Sequence, residues 1–119
     1  MPKLEDLNSA ALGELHAVSP VVFKLEVIAD ASSGIAYPLP YEIDIVDVIA
    51  RSTATIVSAT VTVSDGSDDI TDALDIDTID VRDVPATIDT TFAEGVSSLT
   101  LTTNGATDRA VVYVYGLRV

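Results

Sequence analysis

The run Ala110-Val111-Val112-Tyr113-Val114-Tyr115-Gly116-Leu117-Arg118-Val119 is apolar on both faces of any strand it forms. Successive side chains of a strand point to opposite sides. Val112 and Val114 therefore fall on one face, and Val111, Tyr113, Tyr115 and Leu117 on the other. A strand of this kind has to be covered twice, so it is central to the fold or enters a subunit contact. The preceding run, residues 98–103, alternates Leu99 and Leu101 with Thr100 and Thr102, giving one apolar and one hydroxylated face. Asn104-Gly105 lies between the two runs and is a strong local turn signal. The sequence thus predicts a closing β-hairpin over residues 97–119, connected through residues 104–108.

Upstream, Leu4, Leu7, Ala11, Leu12 and Leu15 recur at helical spacing, with Glu5, Asp6, Asn8 and Glu14 on the polar side. A helix over residues 4–16 is short, carries Gly13, and needs a surface to lie on. That surface is either its own domain or a neighbouring subunit. Residues 21–29 follow as a strand with Val21, Phe23, Leu25 and Val27 on a core face and Val22, Lys24, Glu26 and Ile28 on a mostly solvated one. Tyr37-Pro38-Leu39-Pro40-Tyr41 is proline-fixed and predicted not to be a central strand. In residues 42–51 the apolar phase shifts from Ile43 and Ile45 to Val46 and Val48, which predicts a bulge near Val46. Residues 53–63 alternate with Val57, Ala59, Val61 and Val63 on one face, and a hairpin with residues 42–51 is expected. Residues 70–74 read as one helical turn, 75–84 as a loop and a short edge strand blunted by aspartates, and 86–92 as a weak strand.

About seven short strands separated by turn signals indicate an all-β fold. The expectation is an antiparallel β-sandwich or barrel, jelly-roll-like, with a short N-terminal amphipathic helix or arm. Residues 1–19 form the arm and 20–119 the β-domain. At 119 residues one modest core is available, and with aromatic content of only 5% it must be built from Val, Ile, Leu and Ala.

Composition excludes several functions. Cysteine is absent, which removes disulfides and thiolate metal sites. No run of eighteen apolar residues is present, and Met1-Pro2-Lys3-Leu4-Glu5-Asp6 lacks the basic-then-apolar layout of a secretory signal, so a soluble chain without a membrane partner is expected. The net charge of −13, from 19 acidic and 6 basic residues, repels phosphate backbones and argues against nucleic acid. An excess of aspartate over glutamate with only Lys3 and Lys24 as lysines fits a protein working in high salt, from a halophilic or marine source, or an acidic domain of ordinary surroundings.

Catalytic constellations are not evident. His16 is the single histidine, no Gly-x-Ser-x-Gly elbow accompanies it, and a capping or surface role is the simpler reading. Asp65, Asp68 and Asp69 crowd a glycine-containing loop and are candidate ligands for a structural cation such as calcium, although their spacing is not that of an EF-hand. The plainer alternative is a solvated acidic loop. Carbohydrate binding would rest on Tyr37 and Tyr41 beside the proline loop. No enzyme is expected.

The order of Ile70-Thr71-Asp72-Ala73-Leu74, Ala86-Thr87-Ile88-Asp89, Phe92-Ala93-Glu94-Gly95, Leu99-Thr100-Leu101 and Asn104-Gly105-Ala106-Thr107-Asp108-Arg109-Ala110 resembles that of small capsid decoration, or cement, proteins of tailed viruses. The resemblance runs from about residue 21 to the C-terminus. It implies a β-sandwich or barrel that assembles, often as a homotrimer, at symmetry axes on the outside of an icosahedral shell and clamps neighbouring subunits. The major capsid protein and further copies of the chain would be its partners, the virion surface its location, and catalytic residues would be lacking. The expected interaction residues are Leu4, Leu7, Leu12 and Leu15 of the arm with Tyr113, Tyr115 and Leu117 of the last strand. The alternative is a receptor- or carbohydrate-binding β-module of a virion fibre or baseplate.

Overall fold

The structure, a computed structural model, describes residues 19–89 and 91–119. The predicted N-terminal helix, with Leu4, Leu7, Leu12, Leu15 and His16, lies outside the described residues. The rest is all-β, with strands β1 (Ser19–Val27), β2 (Ile35–Ser52), β3 (Thr60–Ser64), β4 (Leu74–Asp75), β5 (Arg82–Asp83), β6 (Val96–Thr103) and β7 (Ala110–Arg118). They form one antiparallel sheet in the order β1-β7-β2-β6-β3-β4, with β5 added to β2, and the sheet curls over a single core like half of a barrel.

The curl originates in β2. Its first part pairs with β6 over Ile35–Pro38, and its second part pairs with β7 from Ile43 to Ser52. Tyr37 reaches Glu26, and Tyr41 packs on Phe23, so the first half of β2 runs against the direction of β1. Beyond Ile43 the strand runs with β1, because both are antiparallel to β7. The reversal falls between Pro38 and Ile43, where the ladder to β6 changes register. Pro38 is paired on one side only, with Ser98, and Pro40 falls in the register break before Ile43, both places where a missing N–H is tolerated. The sequence expectation for this stretch thus holds locally, although β2 as a whole lies in the middle of the sheet.

Val46 is the bulge. Pairing passes from Ile45 opposite Gly116 to Asp47 opposite Tyr115, leaving Val46 unpaired and exposed. The extra residue keeps Ile43 and Ile45 before it, and Val48 and Ala50 after it, on the buried side. From β1, Leu25 and Val27 join them while Val22 faces out, as the alternation predicts. The largest fully buried side chains among the described residues are all aliphatic, led by Ile43, Ile70, Leu74, Ile76, Leu99 and Leu101, with Val27, Val48, Val61, Val63, Val112 and Val114. Each contributes about 1.5–3 kcal/mol by leaving water. The aromatic residues Phe23, Tyr37, Tyr41 and Phe92 pack at the margin of this core.

Four expectations are corrected. The strands of the closing hairpin form, but β6 and β7 flank β2 on opposite sides instead of pairing with each other. A two-residue hairpin turn on Asn-Gly needs positive φ at both residues, and neither Asn104 nor Gly105 adopts it. The Asn104 amide instead donates to the Ser58 carbonyl at 2.7 Å and accepts from the Thr60 N–H at 3.0 Å. Asp108, itself buried, accepts the Gly105 N–H at 3.0 Å. The second correction is β3, which pairs with β6 and β4 rather than with β2. Third, it begins only at Thr60, after a turn with Ser58 at positive φ and Val57 in solvent. Fourth, residues 70–74 hold no helical turn: Thr71 bridges to Ile88 and Leu74 opens β4. Arg82–Asp83 forms the short edge strand, on β2.

Gly116 shows how tightly the two central strands approach. A Cβ there would meet the Asp44 carbonyl oxygen at 2.9 Å and Ile43 Cδ1 at 3.0 Å. Neither neighbour has room to move, since one is backbone and the other is core. Gly116→Ala is therefore expected to lower stability by about 1–3 kcal/mol, read as a lower urea midpoint at unchanged slope. A midpoint equal to wild type would contradict this packing.

Candidate functional site

The face of β7 that points away from the core carries Val111, Tyr113, Tyr115 and Leu117, as the alternation requires. Their cross-strand neighbours on β1 are Glu26, Lys24, Val22 and Pro20, and on β2 they are Arg51, Ile49, Asp47 and Asp44. Val22, Ile49, Tyr113, Tyr115 and Leu117 thus make an apolar centre flanked by charge. None of the five packs on the core cluster, and Val22 is 55% exposed. Ile49, Arg82, Tyr113 and Tyr115 line a shallow pocket of about 180 Å³ on this face. Lys24, Arg51 and Arg82 place three of the chain's six cations here. Lys24 pairs with Glu26 and Arg51 with Asp80, each at 3.2 Å. Both pairs are largely solvated and add little stability.

The structure thus brings Tyr113, Tyr115 and Leu117 together on one surface. Leu4, Leu7, Leu12 and Leu15 lie outside the described residues. Sequence reasoning left out Val22, Ile49 and Arg82. The signal for Ile49 was the bulge itself, which moves every later odd-numbered residue of β2 to the outer side. Arg82 arrives through the pairing of β5 with β2, which no local pattern foretells.

Asp65, Asp68 and Asp69 follow β3 in an exposed loop. The Asp65 carboxylate accepts the N–H of Asp68 at 2.7 Å and of Ser67 at 2.8 Å, while its own N–H donates to the Asp68 carbonyl. Those two bonds, the one from Asp68 first, hold its pKa below the ordinary 3.8. Among the described residues no three acidic or histidine side chains are grouped so as to hold a metal ion. The carboxylate of Asp65 closes its own turn.

Other aspartates act in the same way. Asp30 accepts from Ser32 and Asp89 from Thr91, each two residues on, whereas Asp44 and Asp83 take the N–H groups of Gly95 and Asp75 from other parts of the fold. The Ser32 hydroxyl and N–H also lower the pKa of Asp30. Short carboxylates of this kind stabilise turns by taking backbone N–H groups two or three residues on, which gives the aspartate excess a structural basis.

Tyr37 and Tyr41 are engaged in the fold rather than offered as a sugar platform. The Tyr37 hydroxyl donates to the Glu26 carbonyl at 2.7 Å, and burial, followed by the Glu26 charge, pushes its pKa up. Tyr41 lies between Phe23, with ring centroids 5.9 Å apart, and the Arg118 guanidinium, 4.2 Å from its ring centre. Together they fasten β1 to the first half of β2. A second shallow pocket, of about 240 Å³, is lined by Asp65, Phe92, Glu94 and residues 95–98 at the start of β6. Sequence reasoning did not single it out, because Phe92 and Asp65 are brought together only by the fold.

Asp65 stabilises the folded state as a carboxylate, so its contribution is present above the unfolded pKa and is lost as pH falls through the lowered folded value. Its carboxyl carbon, followed by NMR, is expected to titrate below 3.8. The melting-temperature deficit of Asp65→Ala at neutral pH should shrink across the same range. Calcium is expected to change the melting temperature little; a large rise abolished by Asp68→Ala with Asp69→Ala would overturn the turn-closing role of this loop.

No family model matches the chain, and no curated protein or solved structure matches it significantly. The functional reading therefore rests on the chain's own residues.

Proposed function

We propose that the chain is a structural virion protein that binds the outside of an icosahedral capsid and stabilises it as a decoration, or cement, oligomer. Its partners in this reading are the major capsid protein and further copies of itself, most simply as a homotrimer, and its β-domain is a jelly-roll-like variant of the curled antiparallel sheet. The observation that carries the reading is a second apolar surface on a small domain whose core is already closed. Val22, Ile49, Tyr113, Tyr115 and Leu117 lie outside the core, on β7 and on the strands β1 and β2 that flank it. Contiguous apolar surface of this kind marks interaction sites. Together with the Leu4, Leu7, Leu12 and Leu15 stripe, it gives the chain material for assembly. The resemblance of the motif order to that of decoration proteins belongs to the same reading, and a net charge of −13 disfavours nucleic acid as the partner.

A receptor- or carbohydrate-binding module of a fibre or baseplate is the second reading. It is favoured by the pocket around Phe92, where Asp65 and Glu94 face the same space. Aromatic and carboxylate groups in one shallow pocket are the chemistry that takes a sugar ring.

Purified protein added to undecorated capsids of its virus is expected to bind saturably and in fixed stoichiometry. Light scattering of the free protein should give a multiple of 12.5 kDa. A monomer in molar salt that does not bind capsids would overturn the first reading. A specific glycan-array signal lost in Phe92→Ala would establish the second.

A further inference from the structure

We infer that the apolar outer face of β1, β7 and β2 is the docking surface for the N-terminal segment of the same chain, residues 4–16, in the free protein. The inference goes beyond the assembly reading and stands independently of what the protein assembles on.

Where the segment ends is the first argument. Ser19 opens β1 opposite Arg118, and Pro20 stands opposite Leu117, at one end of the apolar stripe. Only Ala17 and Val18 separate residue 16 from the sheet. Connections of two to six residues between a helix and the following strand are the usual length for a helix that packs on its own sheet. Ser19 is held extended both by the ladder and by the proline that follows it.

Length and chemistry match as well. A leucine stripe from Leu4 to Leu15 rises about 17 Å at 1.5 Å per residue. From Leu117 to Val111 the strand covers about 20 Å at 3.3–3.4 Å per residue. One row of leucines therefore spans the apolar centre, and its tether holds it at high effective concentration over this face. The polar residues of the segment include Glu5, Asp6 and Glu14, while the face carries Lys24, Arg51 and Arg82. The same face also carries Glu26, Asp44 and Asp47, and Lys24 and Arg51 already pair with Glu26 and Asp80, so the attraction between segment and face is apolar and the tether favours the chain's own segment over a second copy.

The consequence for a partner is specific. In the free protein each copy presents the outward surface of residues 4–16 on this side, and a partner that uses Tyr113 and Tyr115 has first to displace that segment.

NMR of the full chain tests this without altering it. Methyl groups of Leu7 and Leu12 are expected to show NOEs to the rings of Tyr113 and Tyr115. In a mixture of isotope-labelled and unlabelled protein, those NOEs should be absent from the spectrum filtered for contacts between copies. Their appearance there would assign the face to the segment of a second copy and overturn the inference, as would the lack of any NOE from residues 4–16 to those rings. A Leu7→Asp, Leu12→Asp variant provides the control. It should lose the contacts while amide shifts in the β2–β7 ladder away from the Tyr113 and Tyr115 rings hold, and contacts that persist would contradict the leucine stripe as the docking element.

Discussion

Ile43 belongs to two ladders at once. Val96 of β6 stands beside it on one side and Arg118 of β7 on the other. Because β2 reverses its sense relative to β1 immediately before this residue, the same strand serves both limbs of the curl, and the two limbs enclose the core between them. The Ile43 side chain is fully buried and lies over Gly116, where no other residue would fit without displacing backbone. Strand order, the curl and the separation of the inner and outer faces of β7 all follow from this junction. The bulge at Val46 then corrects the phase, so that the remainder of β2 buries Val48 and Ala50 instead of exposing them.

Much of this was legible in local pattern. The bulge follows from an apolar phase that changes in the middle of a strand, and the two faces of β1 and β7 follow from alternation alone. Sheet order was not legible, and the closing residues show why. Asn-Gly is a hairpin signal only if both residues take positive φ. Here the Asn104 side chain is held by Ser58 and Thr60, more than forty residues away, and Asp108 holds Gly105. A distant contact therefore decides the backbone of the turn, and the loop crosses between limbs. Similarly, the clean alternation of residues 53–63 does not extend β3 upstream, because Ser58 turns the chain. In the candidate surface, Tyr113, Tyr115 and Leu117 were readable as a second apolar face, whereas Ile49 and Arg82 depended on a register shift and on a two-residue edge pairing.

Acidity in this chain has two physical roles. Aspartates at the loop positions of Asp30, Asp65 and Asp89 accept backbone N–H groups and set the turns that the topology requires. The rest of the charge keeps copies apart in dilute salt, and that repulsion weakens as salt screens it. The assembly proposed above would therefore be favoured by high ionic strength.

The central claim is that β6 and β7 flank β2 instead of forming a hairpin. Backbone NOEs across the strands test it most directly. The account predicts cross-strand Hα and amide contacts from Ile49 to Tyr113 and from Tyr37 to Leu99, with none linking Leu99 or Leu101 to β7 as ladder partners. A continuous ladder of contacts between residues 96–103 and residues 110–118 would contradict it.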